Sequence, residues 1–134
     1  MPNPKGRSNP YGILSIMKKY SFWVAFAIWT WFTWYLTGVP NLRVTPDSLE
    51  QFVISKGGHI FFFGMEGVLA YLALSKSKAR FWYALVIASA LGAATEIHQS
   101  FVAGRHMSVY DWALDTLSAV LFLVIMKKFL NHKL

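Results

Sequence analysis

Residues 22–39 read FWVAFAIWTWFTWYLTGV, a stretch with no charged side chain. A bilayer core of about 30 Å is crossed by about 20 apolar helical residues, so this stretch is long enough to span. A signal peptide fits less well, because its apolar region runs to about 15 residues and a small-residue cleavage site follows. Here the stretch ends in Thr37-Gly38-Val39-Pro40 instead. Trp23, Trp29, Trp31 and Trp34 are too many for one interfacial belt, so some of them are expected to pack against neighbouring helices.

Three further apolar segments follow, Gly57–Leu74, Phe81–His98 and Val109–Met126, shorter and carrying polar residues. Each crosses with the help of its flanks. The sequence therefore predicts an all-α, polytopic membrane protein, a bundle of four transmembrane helices over residues 21–39, 57–74, 81–98 and 109–126. Composition agrees. Of 134 residues, 55% are hydrophobic and 14% charged, where a soluble domain carries about a quarter charged. The absence of cysteine excludes disulfides, thiolate zinc sites and thiol nucleophiles.

Charge sets the expected orientation. Lys5, Arg7, Lys18 and Lys19 precede the first helix, Lys76, Lys78 and Arg80 fill the second connection, and Lys127, Lys128 and Lys133 follow the last. Only Arg43, Lys56 and Arg105 lie on the other side, so the positive-inside rule puts both termini in the cytoplasm. The net charge of +7 is thus read as topology, with no nucleic-acid partner. Residues 1–17 are read as a cytoplasmic tail and 18–134 as one membrane domain. Pro2, Pro4 and Pro10 among small polar residues make the first ten a disordered segment. In the first outer connection Thr45 and Pro46 suit the start of a short surface helix with Leu49, Phe52 and Val53 on one edge, although an ordinary loop fits equally.

Ionisable groups inside a membrane are costly and face the bundle or a wet cavity. On the second helix His59 and Glu66 stand seven apart on one face, which Ala70 and Ala73 continue. On the third, Ala84, Ala88, Gly92 and Glu96 recur every fourth residue and Gln99 follows; small residues at that spacing bring helices close. On the fourth, Asp111, Asp115 and Ser118 form a stripe, with Arg105 and His106 in the loop before it. Three helices thus aim polar groups at the outer third to half of the membrane. Plainer roles stand beside this one. Ser108-x-x-Asp111 matches a capping box, and Glu96 and Gln99 suit hydrogen bonds between helices. His59 suits a wet interface, and His98 and His106 lie near the surface.

Lys56-Gly-Gly-His59 with Phe63, then Glu96-x-x-Gln99-x-Phe101, Arg105, Ser108, Asp111 and Asp115, resembles the VanZ-like family of small bacterial membrane proteins. The resemblance covers roughly residues 50–126. The chain departs from the family pattern in having Ser55 where an Asp is usual and Asp115 where an Asn is usual. Ser118 and Ala119 stand in place of glycines, and Glu66 at an apolar position. The resemblance implies a bacterial plasma membrane, a site on its outer face, and a link to glycopeptide resistance such as that to teicoplanin. It supplies no reaction.

Three functions fit these residues. In the first, the site holds an amphipathic or lipid-linked envelope molecule. Lys56 and Arg105 meet a phosphate, while Gln99, Ser108, Asp115, Glu96 and Asp111 take hydroxyls or an amine. In the second, an intramembrane transferase or hydrolase uses His59 as base or nucleophile, with Glu96 or Asp111 orienting it or acting as acid. In the third, the chain is a structural or regulatory subunit whose polar residues pair among themselves, Glu66 with the fourth helix. Membrane lipids are the expected partners, with room for a homo-oligomer. No cofactor is expected. A metal held by His59, Glu96, His98 and Asp111 ranks below these, since no His-x-x-x-His pair supports it.

Overall fold

The structure is a computed structural model that describes residues 10–43, 45–75 and 77–132. It is all-α, with no strand among the described residues. The helices are α1 (Pro10–Thr37), α2 (Ser48–Ala73), α3 (Arg80–Gln99) and α4 (Val109–His132). α3 falls within one residue of its expected bounds. α1 begins at Pro10, well before the expected residue 21, because proline fits a first helical turn, whose N–H groups have no partner anyway. Residues 1–9, the main part of the expected disordered tail, lie outside the described residues.

The short surface helix expected after Thr45 is instead the first part of α2, which runs unbroken from Ser48 through Gly57 and Gly58 to Ala73. Its cap is Asp47, not Thr45: Asp47 Oδ1 accepts from Leu49 N at 2.8 Å and from Glu50 N at 2.9 Å. A carboxylate there meets both the free N–H groups and the helix dipole. Thr45 donates its hydroxyl to Glu50 Oε2 at 2.9 Å, and Pro46 stays outside the helix.

α2 is the hub. It packs on α1, α3 and, most extensively, α4, while α1 touches α3 only lightly. The α2–α4 seam is close because its residues are small. A Cβ at Gly67 would lie 3.3 Å from Ala119 Cβ, and one at Gly64 would lie 2.7 Å from the Phe122 ring. On the far side of the seam Gly92 of α3 receives Asp115, whose Cβ would stand 3.3 Å from a Cβ added there. The small-residue face expected on α3 is buried: Ala84, Ala88, Gly92, Glu96 and Gln99 all point inward. Leu123, Ala70, Tyr71 and Ala84 form the apolar core at the other end of the bundle.

The distribution of side chains is inverted relative to a soluble bundle. Thr33, Glu66, Thr95, Glu96, Gln99, Asp115 and Ser118 are buried, while Val24, Ile28, Trp31, Trp82, Val86, Leu117, Leu121 and Ile125 are exposed. Among the described helices α3 alone is long and apolar enough, by length and composition, to cross a membrane, with a mean hydropathy of 1.2. The others are longer, at 28, 26 and 24 residues, but carry tryptophan and threonine (α1) or charged groups (α2 and α4) that lower that index.

Candidate functional site

The connections after α1 and α3 meet at the end of the bundle where α2 and α4 begin. Asn41 has a φ of 49° and donates its N–H to Ala103 O at 3.1 Å, which ties the two connections together. Arg105 reaches back from the second connection to α1. Its Nη2 donates to Leu36 O at 3.3 Å and its Nε to Val39 O at 3.5 Å. The last carbonyls of a helix carry partial negative charge, so a guanidinium there closes the helix end. Arg105 therefore anchors α1 as well as lining the cavity described below.

Beneath this junction the polar residues converge. His59 donates Nδ1–H to Asp115 Oδ1 at 2.7 Å. The imidazole is 9% exposed and the carboxylate is sealed. Because the carboxylate accepts the Nδ1 proton, Nε2 is left as the ring's basic nitrogen. A turn above, Lys56 of α2 pairs with Asp111 of α4, in partial contact with solvent. Glu96 of α3 takes the N–H of Ser108 on Oε2 at 2.7 Å. Ser108 Oγ accepts from Asp111 N at 3.2 Å, so Ser108 caps α4. The capping role of Ser108 stands, but Glu96 of α3 fills the place that a capping-box glutamate of α4 itself would take. Asp111 is left free to pair with Lys56.

Several of these groups have spare capacity. Glu96 Oε1, Asp115 Oδ2, Gln99 Nε2 and Thr33 Oγ1 are buried without a hydrogen-bond partner among the described residues. A cavity of about 300 Å³ opens beside them between α1, α2 and the two connections. Its lining mixes polar residues, among them Thr33, His59, Gln99 and Arg105, with apolar ones, among them Leu36, Leu42, Ile54, Phe62 and Phe63.

The expected residues divide accordingly. His59, Gln99 and Arg105 line the cavity; Asp115 and Glu96 lie behind it; Lys56, Asp111 and Ser108 secure the start of α4. His98 stacks on Trp34 at 4.5 Å, and His106 is exposed. Glu66 pairs not with α4, as expected, but with Thr30 of α1. Gly64 and Gly67 occupy the edge of α2 that meets α4, which turns Glu66 toward the other neighbour. Thr33 was not singled out from the sequence. Thr30, Thr33 and Thr37 recur at steps of three and four in an otherwise apolar helix, a polar stripe that marks the inward face.

The fold and site define a small all-α protein with an imidazole–carboxylate cluster sealed at one end of a four-helix bundle. The family model for VanZ/LLP1 matches residues 11–131, nearly the whole chain. The chain belongs to the VanZ/LLP1 family. No curated protein and no solved structure is matched by it.

Proposed function

We propose that the chain is a four-span membrane protein of the cell envelope whose outward-facing cavity takes the polar headgroup of an amphipathic, lipid-linked molecule. The observation that carries this reading is the cavity's mixed lining. Leu36, Ile54, Phe62 and Phe63 line it together with Thr33, His59, Gln99 and Arg105, and Thr33 Oγ1 and Gln99 Nε2 are buried without partners among the described residues. Buried polar groups without partners are costly, and a headgroup bearing hydroxyls and a phosphate satisfies donors and acceptors together. Of the guanidinium donors, Nε and Nη2 are directed at α1, and the remaining N–H groups serve an anion.

The exposed apolar helix faces support burial of all four helices in lipid, and the lysine and arginine bias supports cytoplasmic termini. The chain lacks cysteine, so single introduced thiols report topology cleanly. A membrane-impermeant maleimide is expected to label Ser100→Cys in intact cells and Ser75→Cys only after the membrane is opened. Labelling in the opposite pattern would overturn the orientation.

Ligand binding is tested by lipid mass spectrometry on protein purified in nanodiscs loaded with total envelope lipids. Wild type is expected to retain one lipid class at roughly tenfold excess over Phe62→Ala and Thr33→Val, both of which leave the buried carboxylates untouched. Equal retention by all three would sink the reading. A second reading, headgroup transfer or hydrolysis, draws on the His59–Asp115 hydrogen bond, which orients the imidazole as a general base. A lipid consumed by wild type and spared by His59→Gln would favour it over simple binding.

A further inference from the structure

The cluster behind the cavity carries more than a hydrogen bond. A ring nitrogen of His59 and one carboxylate oxygen each of Glu96 and Asp115 lie within 4.8 Å of one another. Each carboxylate is held by one oxygen and idle at the other. Glu96 Oε2 is bound to the Ser108 N–H and Asp115 Oδ1 to His59, while Glu96 Oε1 and Asp115 Oδ2 are buried without partners. The two residues are 2% and 1% exposed. Buried oxygens that hydrogen bonds have fixed in direction but not saturated are what a coordinating cation requires of its ligands.

We propose that His59, Glu96 and Asp115 bind one transition-metal dication of the zinc type. Two carboxylates and a neutral imidazole match a charge of +2, so the ion leaves no buried charge uncompensated. The donor set is one nitrogen and two oxygens, which suits zinc or its first-row neighbours better than calcium, which takes six to eight oxygens. Bonds of about 2.0–2.2 Å to a tetrahedral ion place the ligand atoms about 3.3–3.6 Å apart. The side chains close from at most 4.8 Å, and as the His59–Asp115 hydrogen bond is exchanged for bonds to the ion the ring proton moves from Nδ1 to Nε2, leaving a neutral imidazole with Nδ1 free to coordinate. Three protein ligands leave a fourth position open, as in zinc sites that bind water or a ligand atom rather than serve the fold alone.

The ligand set differs from the one the sequence suggested. Asp111 is taken by Lys56, and His98 stands against Trp34, so neither enters. Asp115 replaces both. The cation site shares His59 with the proposed headgroup cavity but does not rest on it, because cation binding is measured without any envelope lipid.

The test is calorimetric titration of the full chain, stripped with chelator and held in a defined phosphatidylcholine nanodisc, with Zn²⁺ alone. Wild type is expected to bind one ion per chain, and Glu96→Gln and Asp115→Asn to bind it at least tenfold more weakly. A variant carrying His98→Ala, His106→Ala and His132→Ala together is expected to retain full affinity, which separates the proposed site from the other three histidines. Cobalt absorption spectra of wild type supply a second measurement, expected to show a four-coordinate nitrogen–oxygen environment; circular dichroism confirms that each variant is folded. Absence of a stoichiometric ion in wild type would overturn the proposal. So would unchanged affinity in the folded Glu96 and Asp115 variants, or an octahedral cobalt spectrum typical of loosely held hydrated ions.

Discussion

Gly64→Leu is expected to lower the folding free energy by about 1–3 kcal/mol, the usual cost of overpacking a close seam. Even alanine would set its Cβ 2.7 Å from the Phe122 ring, and that ring cannot simply swing aside, because its root carbon is among the atoms contacted. The gain in helix propensity from removing a glycine is about 1 kcal/mol and does not offset this. Unfolding by SDS titration in mixed micelles measures the loss. Phe122→Ala in the same chain is expected to restore most of it, and failure to do so would mean that α2 and α4 do not pack as described. The consequence for function is direct. The α2–α4 seam sets His59 against Asp115, so a widened seam is expected to weaken whatever the cluster binds.

A double-mutant cycle on His59→Ala and Asp115→Ala is expected to return a coupling of about 1–2 kcal/mol. Polar pairs between membrane helices average about 0.6 kcal/mol, because the unfolded state also finds partners. On the proposed reading of α2 and α4 as membrane spans, this pair belongs at the upper end: the carboxylate is sealed, and Gly92 lies against its other face. The same cycle on Lys56→Ala and Asp111→Ala is expected to give less than about 1 kcal/mol, since both groups reach solvent. If the two cycles came out equal, burial would not be what distinguishes the pairs. The comparison also separates the layers of the site, an outer ion pair that secures the start of α4 and an inner pair sealed between α2 and α4.

Part of the candidate site's arrangement was legible in the sequence. Glu96 and Gln99 could be placed on the packed face of α3 from the small residues spaced four apart below them. Asp115 could be singled out because it lies too deep in α4 to be a cap, and it proves to be the carboxylate that meets His59. Partners were harder to read. Helical periodicity gives the direction of a side chain about its own axis, but not which neighbour stands there. Glu66 shows the difficulty: its inward direction was clear, yet its partner is Thr30 of α1, because the glycine edge of α2 claims α4. Likewise Arg105 could be recognised as a cation over the polar cluster, while its bonds to the α1 carbonyls depend on how two connections fold against each other.

By itself the sequence determined the helical class, the positions of α3 and the start of α4, and the family, since these follow from apolar length, residue spacing and ordered motif residues along one chain. Tertiary structure alone decided that α2 begins at Ser48 with Asp47 as its cap, that His59 meets Asp115 while Asp111 goes to Lys56, and that Glu96 holds the first turn of α4. The reason is physical. Each of these choices turns on angles and distances between helices of about an ångström, set by which small residues let the backbones approach, and no local pattern records them.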